Sequence, residues 1–152
     1  IHDNSLRADH GCPVFCFDTA DGFFYGFPAT DSDGLKVGEH SGGEEIADPD
    51  RLDRSLHPHD TDRVCGFVQR HLSGVDLTPH SHSVCMYTMT PDEHFVVDRH
   101  PRFANVFLAA GFSGHGFKFA PVIGSVMADL VTAGRTDTPI GFLSALRSDL
   151  CL

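Results

Sequence analysis

Asn105-Val-Phe-Leu-Ala-Ala-Gly-Phe-Ser-Gly-His-Gly-Phe-Lys-Phe119, continuing into the apolar run from Ala120 to Leu130, is the stretch on which the reading of this chain turns. Val106 to Ala110 is a continuous apolar run of strand length, which predicts a strand covered on both faces. Gly111, Gly114 and Gly116 let the backbone turn sharply and approach a ligand with no Cβ in the way. Beyond them Phe119, Val122, Ile123, Val126, Met127, Leu130 and Val131 recur at three- and four-residue spacing, the pattern of a helix. Gly134 stands where a C-terminal cap belongs, and Pro121 is tolerated because it falls in the first turn. A glycine-rich turn that opens a helix points unpaired N–H groups and the positive end of the helix dipole at an anion or a polarised oxygen. Lys118, one of two lysines in the chain, adds a full charge there. The same spacing also serves an ordinary strand-to-helix connection, and the order G-x-x-G-x-G is not the dinucleotide fingerprint G-x-G-x-x-G.

Upstream, residues 14–18 and 23–27 are rich in aromatics and are separated by Thr19-Ala-Asp-Gly22, which predicts a hairpin. Residues 30–34 form a further loop, and residues 35–40 alternate well enough to be the next strand of an antiparallel sheet with one wall facing a ligand. Residues 41–58 are polar and acidic, with Gly42, Gly43, Pro49 and Pro58, so they belong on the surface. His59-Asp-Thr-Asp62 is expected to cap a helix that presents Val64, Phe67, Val68 and Leu72 on one face and ends near Gly74. Residues 75–89 read as one long strand or two strands interrupted by Pro79. Residues 95–98 read as a short strand, and Arg99-His-Pro-Arg102 turns the chain towards Asn105. The tail after Arg135 is expected to pack loosely on the body.

With 152 residues, 41% of them hydrophobic, the chain is long enough for one sizeable core. The net charge of −10, with the cationic side chains dispersed, provides no basic stripe for nucleic acid or an anionic membrane. No apolar run reaches the ~20 residues of a membrane span and no signal segment opens the sequence, so a cytoplasmic protein is expected. The five cysteines (Cys12, Cys16, Cys65, Cys85 and Cys151) are odd in number and lack a C-x-x-C pair, which reads as reduced thiols. His57-Pro-His59 and His80-Ser-His82 are close histidine pairs, with His71, His94 and His100 as further candidate ligands. No H-E-x-x-H pattern accompanies them and both pairs sit beside prolines, so they read as surface histidines and no metal is expected.

Four segments, in order and at compatible spacing, carry a resemblance to one family. Ala109-Ala-Gly-Phe-Ser-Gly-His-Gly-Phe-Lys-Phe119 resembles the flavin-contacting turn near the C-terminus of the monomeric sarcosine oxidases, FAD-dependent secondary-amine oxidases that include N-methyltryptophan oxidase. Val84-Cys-Met-Tyr-Thr88 with Thr90-Pro-Asp-Glu-His-Phe95 is similar to their covalent flavin attachment segment. Phe24-Tyr-Gly-Phe-Pro28, and Gly34-Leu-Lys-Val-Gly38 with His40, resemble their active-site strands.

The resemblance implies a mixed α+β fold. It combines an antiparallel substrate-domain sheet (residues 1–104, including the attachment segment) with the C-terminal strand and helix of an FAD-binding domain and a tail (residues 105–152). The family's N-terminal nucleotide-binding region is not matched, so the fold is expected to be incomplete without an N-terminal half. Alone, with open strand edges, it is expected to be insoluble or oligomeric. The implied reaction is oxidation of an N-methyl or other secondary amino acid to an imine, with oxygen converted to hydrogen peroxide. A truncated, flavin-free relative is the alternative.

Site roles follow from the resemblance position by position. Cys85 stands where the family forms a thioether to FAD, with Met86 beside it; taken alone, a cysteine there is a small buried hydrophobe. The bond needs thiolate character, which His80, His82 or an arginine supplied by the fold would favour. Lys36 stands by the flavin N5, where a fixed charge assists electron transfer to oxygen. His40 and Tyr25 fall in the substrate pocket, where a titratable imidazole and a hydroxyl suit an amine that must be neutral to react. Lys118 is expected to meet the substrate carboxylate and the flavin edge, and Gly114, His115, Gly116 and Phe117 to present N–H groups to the flavin pyrimidine oxygens. Glu39 departs from the family pattern, as do Met89 and the histidine-rich approach to Cys85. These departures bear on substrate preference more than on the reaction.

Overall fold

The computed structural model describes residues 4–30, 32, 34–40 and 42–150. Asp31, Asp33, Ser41 and Cys151, which belong to loops and thiols read from the sequence, lie outside the described residues. The chain divides into two compact units, Ile1–Val84 and Cys85–Leu152. The expected division at 104/105 concerns the domains of a longer enzyme and is a different partition.

In the first unit, β1 (Phe15–Thr19), β2 (Gly22–Phe27) and β3 (Lys36–Glu39) form an antiparallel sheet in the order β1-β2-β3. Thr19 closes the β1–β2 turn by donating its hydroxyl to the Gly22 carbonyl at 2.8 Å. Helix α1 (Pro58–His71) covers one face of this sheet. Phe24 and Phe67 stack with centroids 4.4 Å apart, and Phe17 meets Phe67 edge-on at 5.3 Å. Val68 completes the buried set, and Val37, Val64, Leu72 and Val75 pack around it. The helix starts earlier than the expected cap at residues 59–62. Pro58 occupies the first helical turn, where its missing N–H costs nothing, and the Asp60 carboxylate accepts the His57 N–H at 2.8 Å.

Residues 75–89 form no strand. Pro79 lacks a ladder donor, Asp76 bonds the Thr78 N–H locally at 2.8 Å, and the segment is mostly exposed. Cys85 therefore lies in irregular, exposed backbone rather than in the strand-like setting its neighbours suggest.

The second unit is built on β4 (Val96–Arg99) and β5 (Phe107–Ala110), an antiparallel pair, and on α2 (Ala120–Ala133). Phe95, Val97, Val126, Leu130 and Leu143 form its core. Gly134 ends α2 at φ 70°, donating its N–H to the Leu130 carbonyl, as its place in the sequence predicts. β5 is not covered on both faces: Ala109 and Ala110 are exposed, and among the described residues β4 is its one strand partner. The tail, too, differs from expectation. Leu143 is 6% exposed within the core, and Asp98 accepts hydrogen bonds from the Ser144 hydroxyl (2.8 Å) and the Ala145 N–H (2.9 Å). Ile140 and Leu143 show no helical or strand period, so their burial is invisible to pattern reading.

Candidate functional site

Strand register decides where the first group of site residues stands. Side chains alternate between faces, and directly paired residues share one. Phe17 pairs with Phe24 and Phe24 with Glu39, which places all three on the α1 face. Tyr25 pairs with Gly38 and Phe27 with Lys36, which places them on the opposite face. His40, one residue past β3, continues the ladder by donating its N–H to the Phe23 carbonyl at 2.8 Å, and its ring meets Phe23 edge-on at 5.6 Å. Tyr25, Lys36 and His40 therefore share the face turned away from the helix.

The chemistry of that face is aromatic with one ammonium. The Lys36 Nζ lies 5.4 Å from the Phe27 centroid, a cation–π distance. Tyr25 lies across Gly38: a Cβ there would sit 2.8 Å from the phenol oxygen, so the glycine makes room for the hydroxyl. Glu39, the departure from the family pattern, points the other way. Its carboxylate, 13% exposed, forms a two-pronged pair with Arg63 of α1, whose guanidinium also donates to the Asp21 carbonyl. The pair ties β3 to α1 and keeps the acidic charge off the face that bears Tyr25, Lys36 and His40.

The second group lies in the second unit, where the segment around Cys85 and the glycine turn are bound to each other. The turn passes through left-handed backbone at Gly111 (φ 62°), Ser113 (φ 46°) and Gly114 (φ 78°). For Ser113 that conformation is costly, and a buried network holds it there. Its N–H donates to the Thr88 carbonyl at 3.1 Å, and its hydroxyl donates to the Gly111 carbonyl at 3.2 Å while accepting the Thr90 N–H at 3.4 Å. The Thr90 hydroxyl in turn donates to the His94 carbonyl at 2.8 Å. The His115 Nε2 lies 3.3 Å from the Glu93 carbonyl, which makes that nitrogen the donor. The Tyr87 ring fills the space beside Gly114, where a Cβ would come within 2.4 Å of it. Phe95 sits beneath, its ring centroid 4.9 Å from Phe112, 5.0 Å from His115 and 5.3 Å from Phe119.

The surface this produces is open. Cys85, two residues before Tyr87, is exposed, as is Met86, and Phe117 is 96% exposed. The N–H groups of Gly114, Phe117 and Lys118 have no acceptor among the described residues. The Lys118 ammonium stands 5.5 Å from the Phe119 centroid. Sequence reading singles out Cys85, Met86, Gly114, His115, Gly116, Phe117 and Lys118 but assigns no role to Tyr87, Thr90 or Ser113. A non-glycine residue between glycines, as at Ser113, is the one local signal for that network.

Residues 1–130 match the model of the family described as FAD dependent oxidoreductase. Monomeric sarcosine oxidase of Bacillus sp. (strain NS-129) is 44% identical over 140 residues, covering 91% of this chain and 36% of the relative. N-methyl-L-tryptophan oxidase of Salmonella typhi is 39% identical over 136 residues, covering 88% of this chain and 36% of the relative. The chain thus spans about a third of the length of the curated relatives it matches. An open form of NikD, an unusual amino acid oxidase essential for nikkomycin biosynthesis, superposes with a TM-score of 0.63 at 23% identity, over 80% of this chain and 33% of that one; this likeness concerns the fold. The family model covers most of the chain, and the chain belongs to the FAD dependent oxidoreductase family.

Proposed function

We propose that this chain is the C-terminal portion of a sarcosine oxidase-like enzyme that oxidises N-methyl or other secondary amino acids to an imine, with oxygen going to hydrogen peroxide. Hydrolysis of the imine then gives an aldehyde and an amine. Residues 1–104 form part of its substrate domain, and residues 105–152 the closing strand, helix and tail of its FAD domain. An N-terminal half supplies the remaining nucleotide-binding fold and part of the substrate clamp, and the enzyme works in the cytoplasm.

The observation that carries this reading is the joining of the Cys85 segment to the glycine turn through Tyr87, Thr88, Thr90 and Ser113. The residues present fit FAD. An exposed thiol, an exposed aromatic ring and unpaired N–H groups lie along one short stretch of surface, and those donors suit the electron-rich pyrimidine edge of a flavin. When bound, FAD supplies the two-electron acceptor for the amine. Cys85 would hold it covalently, with Met86 against it, and the turn of Gly114, His115, Gly116 and Phe117 would meet its polar edge through the Gly114 and Phe117 N–H groups, the His115 N–H being donated to the Phe112 carbonyl. Lys118 pairs with the substrate carboxylate. Tyr25 and His40 orient the amine, the phenol and the imidazole offering it hydrogen-bonding groups. Lys36 holds a fixed positive charge where oxygen is reduced.

Lys36→Met in the natural-length protein tests the assignment. Its reoxidation by oxygen is expected to slow on the order of 10²-fold in stopped flow while amine oxidation stays within a few-fold. Equal losses in both half-reactions would overturn the role of Lys36.

A further inference from the structure

The tail beyond α2 reaches the same turn by a route outside the site itself. Arg147 forms a fork-to-fork pair with Asp92, Nε to Oδ2 at 2.6 Å and Nη2 to Oδ1 at 2.9 Å. The two side chains are only 9% and 14% exposed. The guanidinium also donates to the carbonyls of His94 (2.9 Å), Phe95 (3.0 Å) and Ser144 (3.1 Å), so it is engaged on every edge. Hydrogen bonds from Arg147 hold the Asp92 carboxyl well below the usual carboxylate range. Arg147 therefore grips residues 92–95 from three sides, two of them backbone.

Those residues are the ones that hold the turn. Thr90 bonds both Ser113 and the His94 carbonyl, the Glu93 carbonyl meets the His115 imidazole, and the Phe95 ring lies under Phe112, His115 and Phe119. Glu93 itself adopts φ 58°, so the loop, like Ser113, occupies a conformation that its surroundings must enforce. We infer that Arg147 is a positioning residue for the turn at 111–118, acting through Asp92 and the loop at 90–95. It locks the strained backbone that presents Gly114 to Lys118. The inference rests on reading that turn as the flavin-binding element, but the coupling it asserts belongs to the protein alone.

Hydrogen exchange followed by mass spectrometry on the natural-length protein, carrying Cys85→Ser so that no flavin is attached, separates the two. In Arg147→Gln, peptides covering residues 86–94 and 111–118 are expected to exchange ~10-fold faster or more, while those from β4 and α2 keep their protection. Arg147→Lys retains the charge without the fork and should fall between the two. It also carries the test if the glutamine variant fails to fold. Faster exchange spread evenly over the second unit would reduce Arg147 to general support, and unchanged exchange at 111–118 would remove the coupling. Either result overturns the inference. Absence of flavin binding in the natural-length protein would instead leave this exchange pattern as it is.

Discussion

Gly114 is the residue where the site tolerates least. Its φ of 78° disfavours any side chain, and the Tyr87 ring occupies the volume of a Cβ. Gly114→Ala should cost about 1–3 kcal/mol of local stability. It should also displace Tyr87 and with it the segment bearing Cys85; unchanged Tyr87 fluorescence and an unchanged melting temperature would refute this. At this scale the sequence was a good guide wherever a repeating pattern carried the information. Alternation along residues 35–40 predicts a strand, which β3 forms, and its register with β2 puts Tyr25, Lys36 and His40 on one face. It was a poor guide where a partner is remote. Nothing near Glu39 announces Arg63, 24 residues on, and nothing near Ser113 announces Thr90, 23 residues back. Such pairs exist only once the fold has formed.

Among the elements, the hairpin, both helices and the strands at β3, β4 and β5 were legible, because each is marked locally by period, proline or glycine. Residues 75–89 and the tail were not. Residues 75–89 carry apolar side chains without a partner strand, and a strand without a ladder leaves its backbone groups to water. The tail lacks periodicity, yet Leu143 is buried among Phe95, Val97, Val126 and Leu130. Leu143→Ala should lower the stability of the second unit by about 2–5 kcal/mol, through lost transfer energy and a residual cavity. Differential scanning calorimetry reads this directly, and a shift below ~0.5 kcal/mol, the range of surface substitutions, would restore the loosely packed tail.

On the scale of the whole molecule, the first unit carries the face with Tyr25, Lys36 and His40, and the second carries the segment from Cys85 with the glycine turn. No helix among the described residues is long and apolar enough to cross a membrane. β1, β3, β4 and β5 each have an edge without a strand partner among the described residues. Self-association of the isolated chain remains the expectation, and a sharp monomeric elution peak with cooperative melting would refute it. Whether these residues form the flavin-bearing part of an amine oxidase is read from the intact mass and visible spectrum of the natural-length protein. A mass raised by one FAD and flavin absorbance that survives acid precipitation are expected, both lost in Cys85→Ser. A colourless protein whose mass matches its polypeptide would contradict this reading, and would identify a flavin-free relative that keeps the fold without the reaction.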